Sequence, residues 1–409
     1  MSRRIVQKYG GTSVGTPERI RAVATRVKCA HDAGAQTAVV VSAMSGETNR
    51  LFELASQVSS KPLTREIDVL VSTGEQVTTA LLSMALHDLG VPAISLQGHQ
   101  VRIATDSAHG RARIRAIDKS RVEEAFDAGK VVVIAGFQGI DDQQNITTLG
   151  RGGSDTTAVA IAAALGADCE IYTDVDGVYT TDPRICPDAL KLERVSHEEM
   201  LEMASLGAKV LQTRSVECAM RFSVPVHVRS SFDDTGELSG TWVVPEEKSM
   251  EDVLVSGIPA DKNQAKITLQ GVPDVPGLAG RIFGQLAEDG VVVDMIVQNV
   301  SADGARTDLT FTVGKADLAQ AQALVENIRE QIGASKVVAS DAVGKVSVVG
   351  LGMRSHAGVA ADMFKVLADA NINIQMISTS EIKISVIVDL DEVDRAVNVL
   401  HAKFFEAEA

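Results

Sequence analysis

The residues best suited to chemistry lie in one stretch, residues 148–168, where a polar, glycine-containing turn leads into an alanine-rich helix. Gly152 and Gly153 let the backbone approach a bound group closely. The free N–H groups and the positive dipole end at the start of the predicted helix favour an anion. Arg151 and Asp155 add one charge of each sign, which suits a ligand with both a carboxylate and an ammonium, that is, an amino acid. A capped core helix with a surface ion pair is the alternative for this stretch alone.

A second glycine turn, GGTSVG at residues 10–15, lies between a predicted strand at 5–9 and a predicted helix at 17–32. A strand, a glycine-rich turn and a helix together form a common phosphate-binding arrangement. The turn matches neither GxxxxGKS/T nor GxGxxG, which excludes a P-loop and the Rossmann fingerprint at this position. Lys8 precedes the glycines and supplies a cation for a phosphate.

Two more polar segments, residues 42–49 and 173–184, follow predicted buried strands, and open α/β sheets place ligand sites at such strand ends. A third, residues 72–75, opens a helix with Glu75 in its first turn. The alternative for Glu75 is a carboxylate that the helix dipole favours. The alternative for residues 173–184 is a solvated, turn-rich loop, although its position beside the other loops favours a nucleotide site.

These segments need a scaffold, and predicted strands and helices alternate through about the first 230 residues. This alternation indicates a three-layer α/β sandwich. The buried-strand candidates are residues 37–42, 92–96, 131–135 and 170–173, and further strands are predicted at 5–9 and 226–229. The pattern also predicts a continuous helix at residues 198–222, with Lys209 inside it.

From about residue 253 the sequence repeats itself. Residues 266–271 (KITLQG) match 345–350 (KVSVVG), Phe283 matches Phe364, and Met295 matches Met376. Each copy reads βαββαβ, which is a ferredoxin-like pattern. Each copy is small for independent stability, so we expect the two to pack edge to edge with each other or with another chain. The repeat lacks clustered nucleophiles and metal ligands, which favours binding over catalysis.

Composition limits the class of protein. The net charge of −15 argues against a nucleic-acid partner, and the aromatic content of 3% predicts an aliphatic core. The four cysteines are widely spaced, so neither a zinc site nor a disulfide framework is expected. The sequence shows no apolar signal region and no run of about 18 apolar residues. We therefore expect a cytoplasmic protein that does not bind a membrane.

Taken together, the motifs resemble the aspartate kinase family. They are KYGGTSVG at 8–15, SAMSGETN at 42–49, STGE at 72–75, TLGRGGSD at 148–155, YTDVDGVYTTDPR at 172–184 and the tandem repeat. The resemblance covers essentially the whole chain and implies an amino-acid-kinase sandwich at residues 1–245 followed by two ACT domains. It implies a first ACT domain at 265–340 and a second at 250–264 plus 341–409, with the first inserted in the second.

The resemblance implies a role for each matching residue. Lys8 and Glu75 would be catalytic, and Lys8 would contact the transferred phosphoryl group. The residues implied to bind aspartate are Thr48, Glu75, Arg151, Gly152, Gly153, Ser154 and Asp155, with Arg151 on the α-carboxylate and Asp155 on the ammonium. Those implied to bind ATP are Lys8, Tyr9, Gly10, Gly11, Thr173, Asp174, Tyr179, Thr180, Thr181, Asp182, Pro183, Arg184, Lys209 and Val210. Those implied to contact effectors are Asp274, Gly277, Leu278, Asp294, Gln298, Val359, Asn373, Ile374 and Thr379; none is implied as a metal ligand.

The implied reaction transfers the γ-phosphate of ATP to the side-chain carboxylate of L-aspartate, the first step towards lysine, threonine and methionine. Mg²⁺ would be carried by the nucleotide. The resemblance is to the bacterial type inhibited jointly by lysine and threonine, with an oligomer formed through the ACT domains. An internal start at Met250, giving an α2β2 complex, is a further expectation, and an ordinary linker methionine is its alternative. A non-catalytic amino-acid sensor and a kinase for another acidic substrate are the competing interpretations.

Overall fold

The computed structural model describes residues 3–208, 210–233, 238–246, 255–300, 306–350, 353 and 357–405. The chain divides into two compact units. The first contains Met1–Tyr179, Lys191–Ser205 and Lys209–Lys248, and the second contains Thr180–Leu190, Leu206–Ala208 and Ser249–Ala409.

The first unit alternates strands and helices. Its strands are β1 (Arg4–Tyr9), β2 (Gln36–Val41), β3 (Ala93–Leu96), β4 (Ile103–Thr105), β5 (Ile114–Ile117), β6 (Val131–Ala135), β7 (Gln138–Ile140), β8 (Ile146–Thr148), β9 (Asp168–Thr173), β10 (Arg194–Ser196), β11 (Val226–Ser230) and β12 (Thr241–Val244). Its helices are α1 (Pro17–Asp32), α2 (Glu47–Val58), α3 (Thr64–Val71), α4 (Thr73–Asp88), α5 (Ser120–Asp127), α6 (Gly153–Leu165), α7 (His197–Ser205) and α8 (Thr213–Phe222).

An eight-stranded sheet runs through this unit in the order β10-β12-β11-β9-β1-β2-β6-β3. The strands from β11 to β3 pair in parallel, whereas β12 is antiparallel to β11. The central strands are buried on both faces, as their apolar runs predict for parallel strands covered by helices. This arrangement confirms the three-layer sandwich, and it brings the carboxyl ends of β1, β2, β6 and β9 to one edge.

Two features of the first unit differ from the sequence prediction. The four short strands β4, β5, β7 and β8 form a separate sheet, in the order β5-β4-β7-β8, that the sequence did not indicate. The predicted continuous helix at 198–222 is wrong, because α7 ends at Ser205 and α8 begins at Thr213. Gly207 has a φ of +114°, which is incompatible with continuing an α-helix.

Helices α3 and α4 follow each other directly, so Thr64–Asp88 forms a 25-residue helical stretch. Its most apolar window has a mean hydropathy of 1.2, enough in length and composition to cross a membrane, but half of that window is buried inside the protein. The stretch also carries two buried carboxylates, Asp68 and Glu75. Packing against the sheet therefore accounts for its apolar character.

The second unit is built from the sequence repeat. Its strands are β13 (Val255–Gly257), β14 (Ala260–Pro273), β15 (Val293–Val300), β16 (Arg306–Gly314), β17 (Lys336–Gly350), β18 (Met376–Thr379) and β19 (Lys383–Asp389). Its α-helices are α9 (Leu278–Glu288), α10 (Leu318–Ile328), α11 (Ala357–Asp369) and α12 (Val393–Phe405). The strands form one antiparallel sheet in the order β15-β16-β14-β17-β19-β18, and β13 also pairs with β17.

Each copy of the repeat has its own helix-covered core. In the first copy, Ile282 of α9 and Val325 of α10 pack on Phe311 of β16. In the second copy, Met363 of α11 and Leu400 of α12 pack on β17 and β19. The predicted edge-to-edge packing of the two copies is confirmed, since β14 and β17 join them into one sheet.

The segment Thr180–Leu190 lies in the second unit, although it precedes the repeat in the chain. Cys186 is buried in the core of the second copy, and the carbonyl oxygen of Ile185 accepts a hydrogen bond from Asn398 Nδ2 at 3.1 Å. Thr180 Oγ1 lies 2.9 Å from His401 Nε2. The sequence did not indicate this placement.

A third, smaller apolar cluster of this unit includes residues from the two edge strands of its sheet. It contains Met295 of β15, Met376 of β18, and Val343 and Ile387 from the strands between them. Side chains from both copies of the repeat thus share one apolar cluster. The repeat had already marked them as equivalent positions.

Candidate active site

A buried ion pair connects the end of β1 with the first turn of α6. Lys8 Nζ lies 2.6 Å from Asp155 Oδ1, and both side chains are 11% exposed. Lys8 stands in the last part of a buried strand, and Asp155 follows the glycine turn that opens α6. The two stretches that the sequence analysis singled out therefore meet at this pair.

The glycine turn after β1 lies against the end of β2. Gly11 O accepts a hydrogen bond from Ser45 N–H at 3.2 Å, and a Cβ at Gly11 would lie 2.9 Å from Ala43 O. A larger residue at this position would push the two turns apart. A side chain on Gly10 would approach Lys8 Nζ to 3.3 Å, so the turn leaves room for the lysine amine.

Glu75 lies in the first turn of α4 and is 3% exposed. Its Oε1 accepts a hydrogen bond from Ala43 N–H at 3.0 Å, whereas Oε2 is buried without a hydrogen-bond partner among the described residues. Burial raises the pKa of Glu75 from its ordinary value of 4.5 to about 7, and the bond from Ala43 opposes that rise. A buried carboxylate oxygen in this position can accept a hydrogen bond from a bound cation.

Arg151 is exposed at the tip of the turn between β8 and α6. The next residue, Gly152, caps α6 in the left-handed conformation with a φ of +68°. A Cβ on Gly152 would lie 2.1 Å from Gln212 Cγ, so the start of α8 packs directly on this turn. Ser154 and Asp155 are buried at the start of α6, and Thr48 is half-buried at the start of α2.

The segment after β9 is divided between the two units. In the first unit, Thr173 Oγ1 donates to Asp174 Oδ1 at 3.1 Å, and Tyr179 OH donates to Asp176 Oδ1 at 3.0 Å. The next residues, from Thr180 to Arg184, lie in the second unit. There the Arg184 guanidinium binds Asp182 at 2.6 Å and holds the pKa of that carboxyl below its usual range.

Two predicted nucleotide residues, Lys209 and Val210, precede α8 in the sequence. Val210 is half-buried and belongs to the first unit. Lys209 lies outside the described residues, and so does Met250. No group of three or more His, Cys, Asp or Glu side chains that could hold a metal occurs in the part of the chain that the structure describes.

Two residues that no sequence motif indicated contact the segment just before Arg151. Asp68 of α3 is fully buried, and it accepts a hydrogen bond from Thr148 Oγ1 at 2.5 Å. The Arg214 guanidinium of α8 donates to the carbonyl oxygens of Leu149 and Ala112. An aspartate inside the apolar run EIDVLV was the available signal for Asp68. Arg214 binds backbone carbonyls, which every residue has, so no sequence motif could have indicated it.

Comparison with known proteins shows the family of this chain. The model of the amino acid kinase family matches residues 3–230, and an ACT domain model matches residues 267–327 and 346–404. The aspartate kinase Ask_LysC of Stutzerimonas stutzeri is 58% identical over 402 residues, which is 98% of this chain and 97% of that protein. This chain belongs to the aspartate kinase family. It is thus an ATP-dependent kinase with a carboxyl acceptor.

More distant members of the aspartate kinase family agree in length and fold. The aspartokinase of Corynebacterium glutamicum is 48% identical over 404 residues, covering 98% of this chain and 96% of that protein. The crystal structure of Escherichia coli aspartokinase III with aspartate and ADP has a TM-score of 0.81 at 27% identity, covering 98% and 100% of the two chains. A second structure of that enzyme, with lysine and aspartate, has a TM-score of 0.78 at 28% identity, covering 99% and 100%.

The residues that the aspartate kinase family implies for effectors are spread over both ACT copies. In the first copy, Gln298 Nε2 donates to Asp274 Oδ1 at 3.4 Å, and Asp294 pairs with Lys345. Gly277 is exposed and Leu278 is buried in the core. In the second copy, Val359 and Ile374 pack against the core, whereas Asn373 and Thr379 are exposed.

Proposed function

We propose that this aspartate kinase transfers the γ-phosphate of ATP to the side-chain carboxylate of L-aspartate at the Lys8–Asp155 pair. The observation that carries the proposal is the convergence of Lys8, Asp155 and the glycine turn at one sheet edge. The buried lysine amine supplies positive charge where phosphoryl oxygens gain negative charge in the transition state. Gly10 and Gly11 add backbone N–H groups, and Tyr9 anchors the strand from the buried side.

Arg151 is the residue we assign to the α-carboxylate of aspartate. Its guanidinium is exposed beside the N-terminus of α6, so the arginine and the helix dipole both favour an anion there. Gly152, Gly153 and Ser154 carry the backbone N–H groups of that helix start. Thr48, at the start of α2, supplies a hydroxyl near the end of β2.

Two carboxylates can receive the α-ammonium of aspartate. The sequence favoured Asp155, but its Oδ1 lies within an ion pair with Lys8. Glu75 offers an oxygen that is buried and without a partner among the described residues. We therefore propose that Glu75 binds the ammonium directly and that Asp155 acts mainly by holding Lys8 in place.

The reaction needs no general base. The attacking side-chain carboxylate of aspartate is already ionised at neutral pH. The protein's contribution is to position the two substrates and to stabilise charge on the transferred group. We propose that Mg²⁺ arrives bound to the ATP phosphates and neutralises part of their charge.

For the nucleotide we propose a site formed by the segment after β9 and by the residues before α8. In the first unit this site would use Thr173, Asp174, Tyr179 and Val210, and Lys209 stays a prediction because it lies outside the described residues. The family resemblance also implies a nucleotide role for five residues of the second unit, and that role stays a prediction: Thr180, Thr181, Asp182, Pro183 and Arg184. The strand-end position of Thr173 and Asp174 supports this assignment.

The regulatory proposal concerns the repeat. We propose that the ACT domains comprise residues 265–340 and residues 250–264 plus 341–409, supported by the pairing of β13 with β17. Lysine and threonine would bind there, since a structure of E. coli aspartokinase III contains lysine. Oligomerisation through these domains, a small subunit starting at Met250 and a cytoplasmic location belong to the same proposal.

The test is ATP-dependent formation of an acyl phosphate from L-aspartate, trapped as the hydroxamate, without effector and with lysine, threonine or both. We expect turnover with aspartate that only the pair of effectors suppresses fully. Turnover with glutamate but not aspartate would refute the substrate assignment. Binding of ATP and aspartate without turnover would favour the sensor, and turnover indifferent to both effectors would refute the regulatory proposal.

A further inference from the structure

Asp68 lies fully buried in α3 and binds two segments that are remote in sequence. Its carboxylate accepts hydrogen bonds from Gly110 N–H at 3.0 and 3.1 Å, and His109 Nδ1 lies 2.8 Å away. It also accepts the bond from Thr148 Oγ1. A buried carboxylate is costly unless its hydrogen bonds are made, so these donors are held close to their observed positions.

Arg214 holds the same turn from α8. Its guanidinium donates to Leu149 O and, at 2.9 Å, to Ala112 O, while Ala112 N–H donates to Thr148 O at 2.9 Å. The planar fork of an arginine can hold two carbonyls at a fixed separation, which a lysine cannot do. The backbone at Gly150 also packs closely on Gly110, because a Cβ on Gly150 would lie 3.0 Å from Gly110 O.

We propose that Asp68 and Arg214 are positioning residues for aspartate binding, acting through Arg151. Asp68 fixes Thr148 and Arg214 fixes Leu149, so both immobilise the backbone just before the guanidinium that receives the α-carboxylate. The proposal rests on the assignment of Arg151 made above. Neither side chain is itself placed in contact with a substrate.

The two roles open to such buried groups make different kinetic predictions. A residue that supports only folding lowers the amount of active enzyme, so apparent kcat falls while KM stays constant. A residue that orients Arg151 changes the affinity for aspartate, so KM for aspartate rises while kcat and KM for ATP stay near wild type. Comparing the change in KM for aspartate with the change in apparent kcat therefore separates a positioning role from a role in folding alone.

The experiment compares Asp68→Asn and Arg214→Lys with matched substitutions elsewhere in the first unit. Glu199→Gln removes the charge of another buried carboxylate, which binds Ser196. Arg4→Lys replaces another guanidinium that binds a carbonyl, that of Leu165. We expect KM for aspartate to rise about tenfold to a hundredfold in the first pair and to stay unchanged in the second.

Arg151→Ala separates failure of this inference from failure of the site assignment. If Arg151→Ala leaves KM for aspartate unchanged, the assignment of Arg151 is wrong. If it raises KM while Asp68→Asn and Arg214→Lys behave like their controls, the positioning role alone is refuted. Adding Asp68→Asn to Arg151→Ala should raise KM no further, because both act through one interaction. Where Asp68→Asn yields no folded protein, Thr148→Val removes a single donor and gives the same readout.

Discussion

Each of the two units contains a Lys–Asp pair with a buried lysine, and the pairs differ in the exposure of the aspartate. In the kinase unit, Lys8 and Asp155 are equally enclosed, so neither can lose its partner without leaving a buried charge. In the ACT unit, Lys345 is 3% exposed but Asp294 is 46% exposed. Both side chains of the Lys8–Asp155 pair are therefore shielded from water, whereas the carboxylate of the Lys345–Asp294 pair is accessible to water.

The glycines that open α6 and α9 show the same contrast. Gly152 and Gly277 both cap their helices in the left-handed conformation, with φ of +68° and +85°. A Cβ on Gly152 would collide with Gln212, whereas a Cβ on Gly277 would meet no atom within 4 Å. The kinase unit is therefore crowded around its predicted ligand, and the corresponding turn of the ACT unit leaves space.

The sharpest test of this contrast replaces each buried lysine. Lys8→Met should lower kcat by about a hundredfold or more, because it removes a charge that stabilises the transferred phosphoryl group. Lys345→Met, measured without effectors, should leave kcat close to wild type. The hydroxamate assay measures both. Equal losses of kcat in the two variants would contradict the assignment of Lys8.

The second test adds one methyl group to each capping glycine. Gly277→Ala should lower the free energy of unfolding only by the backbone strain of a left-handed alanine, about 1–2 kcal/mol. Gly152→Ala adds the collision with Gln212, so we expect a further loss of about 1–3 kcal/mol and weaker aspartate binding. Urea unfolding and KM for aspartate are the measurements. Identical unfolding curves would mean that α8 does not pack on this turn.

The third test concerns the asymmetry of the Lys345–Asp294 pair. Asp294→Ala leaves Lys345 buried without its carboxylate, which for enclosed pairs costs about 3–5 kcal/mol. Lys345→Met leaves Asp294 in contact with water and should cost less than about 1 kcal/mol. Chemical denaturation compares the two variants. If Lys345→Met lost more free energy of unfolding than Asp294→Ala, the proposed asymmetry of the pair would be wrong.

The smallest expected effect is a dependence on pH from Glu75. Because its pKa is raised to about 7, the ligand-free site is increasingly protonated below that pH, and kcat/KM for aspartate should fall there. A raised carboxyl pKa also means that Glu75 favours the folded state at low pH and loses this contribution as pH rises from 4.5 through about 7.

Glu75→Gln is the matched variant for this pH dependence. It should bind aspartate more weakly and lose the pH dependence of kcat/KM near neutrality. It should also show a smaller decline of melting temperature between acid and neutral pH. A wild-type profile that is flat across pH 6–8 would contradict the assignment of Glu75 to the ammonium.

Much of this fold was predictable because its signals are local. The apolar runs of β1, β2 and β6 predicted the bounds of these strands to within one residue. The repeat predicted two ferredoxin-like modules. The small sheet of β4, β5, β7 and β8 was missed because strands of three or four residues carry too short a pattern.

The sequence predicted those residues of the candidate site whose charged side chains lie next to glycines within one motif. Lys8, Arg151 and Asp155 could be found in this way. Asp68 and Arg214 could not, because their contacts join segments up to 102 residues apart and involve backbone groups that every residue has. The pairing of Asp155 with Lys8 also needed the tertiary structure.

The placement of Thr180–Leu190 limits how this protein could be divided by truncation. A polypeptide that began at Met250 would contain the repeat but lack Cys186, which fills part of the second core. A polypeptide that ended at residue 245 would carry Ile185 and Cys186 without the apolar side chains that cover them. A small subunit that began at Met250 would therefore lack one side chain that fills part of this core in the full-length chain.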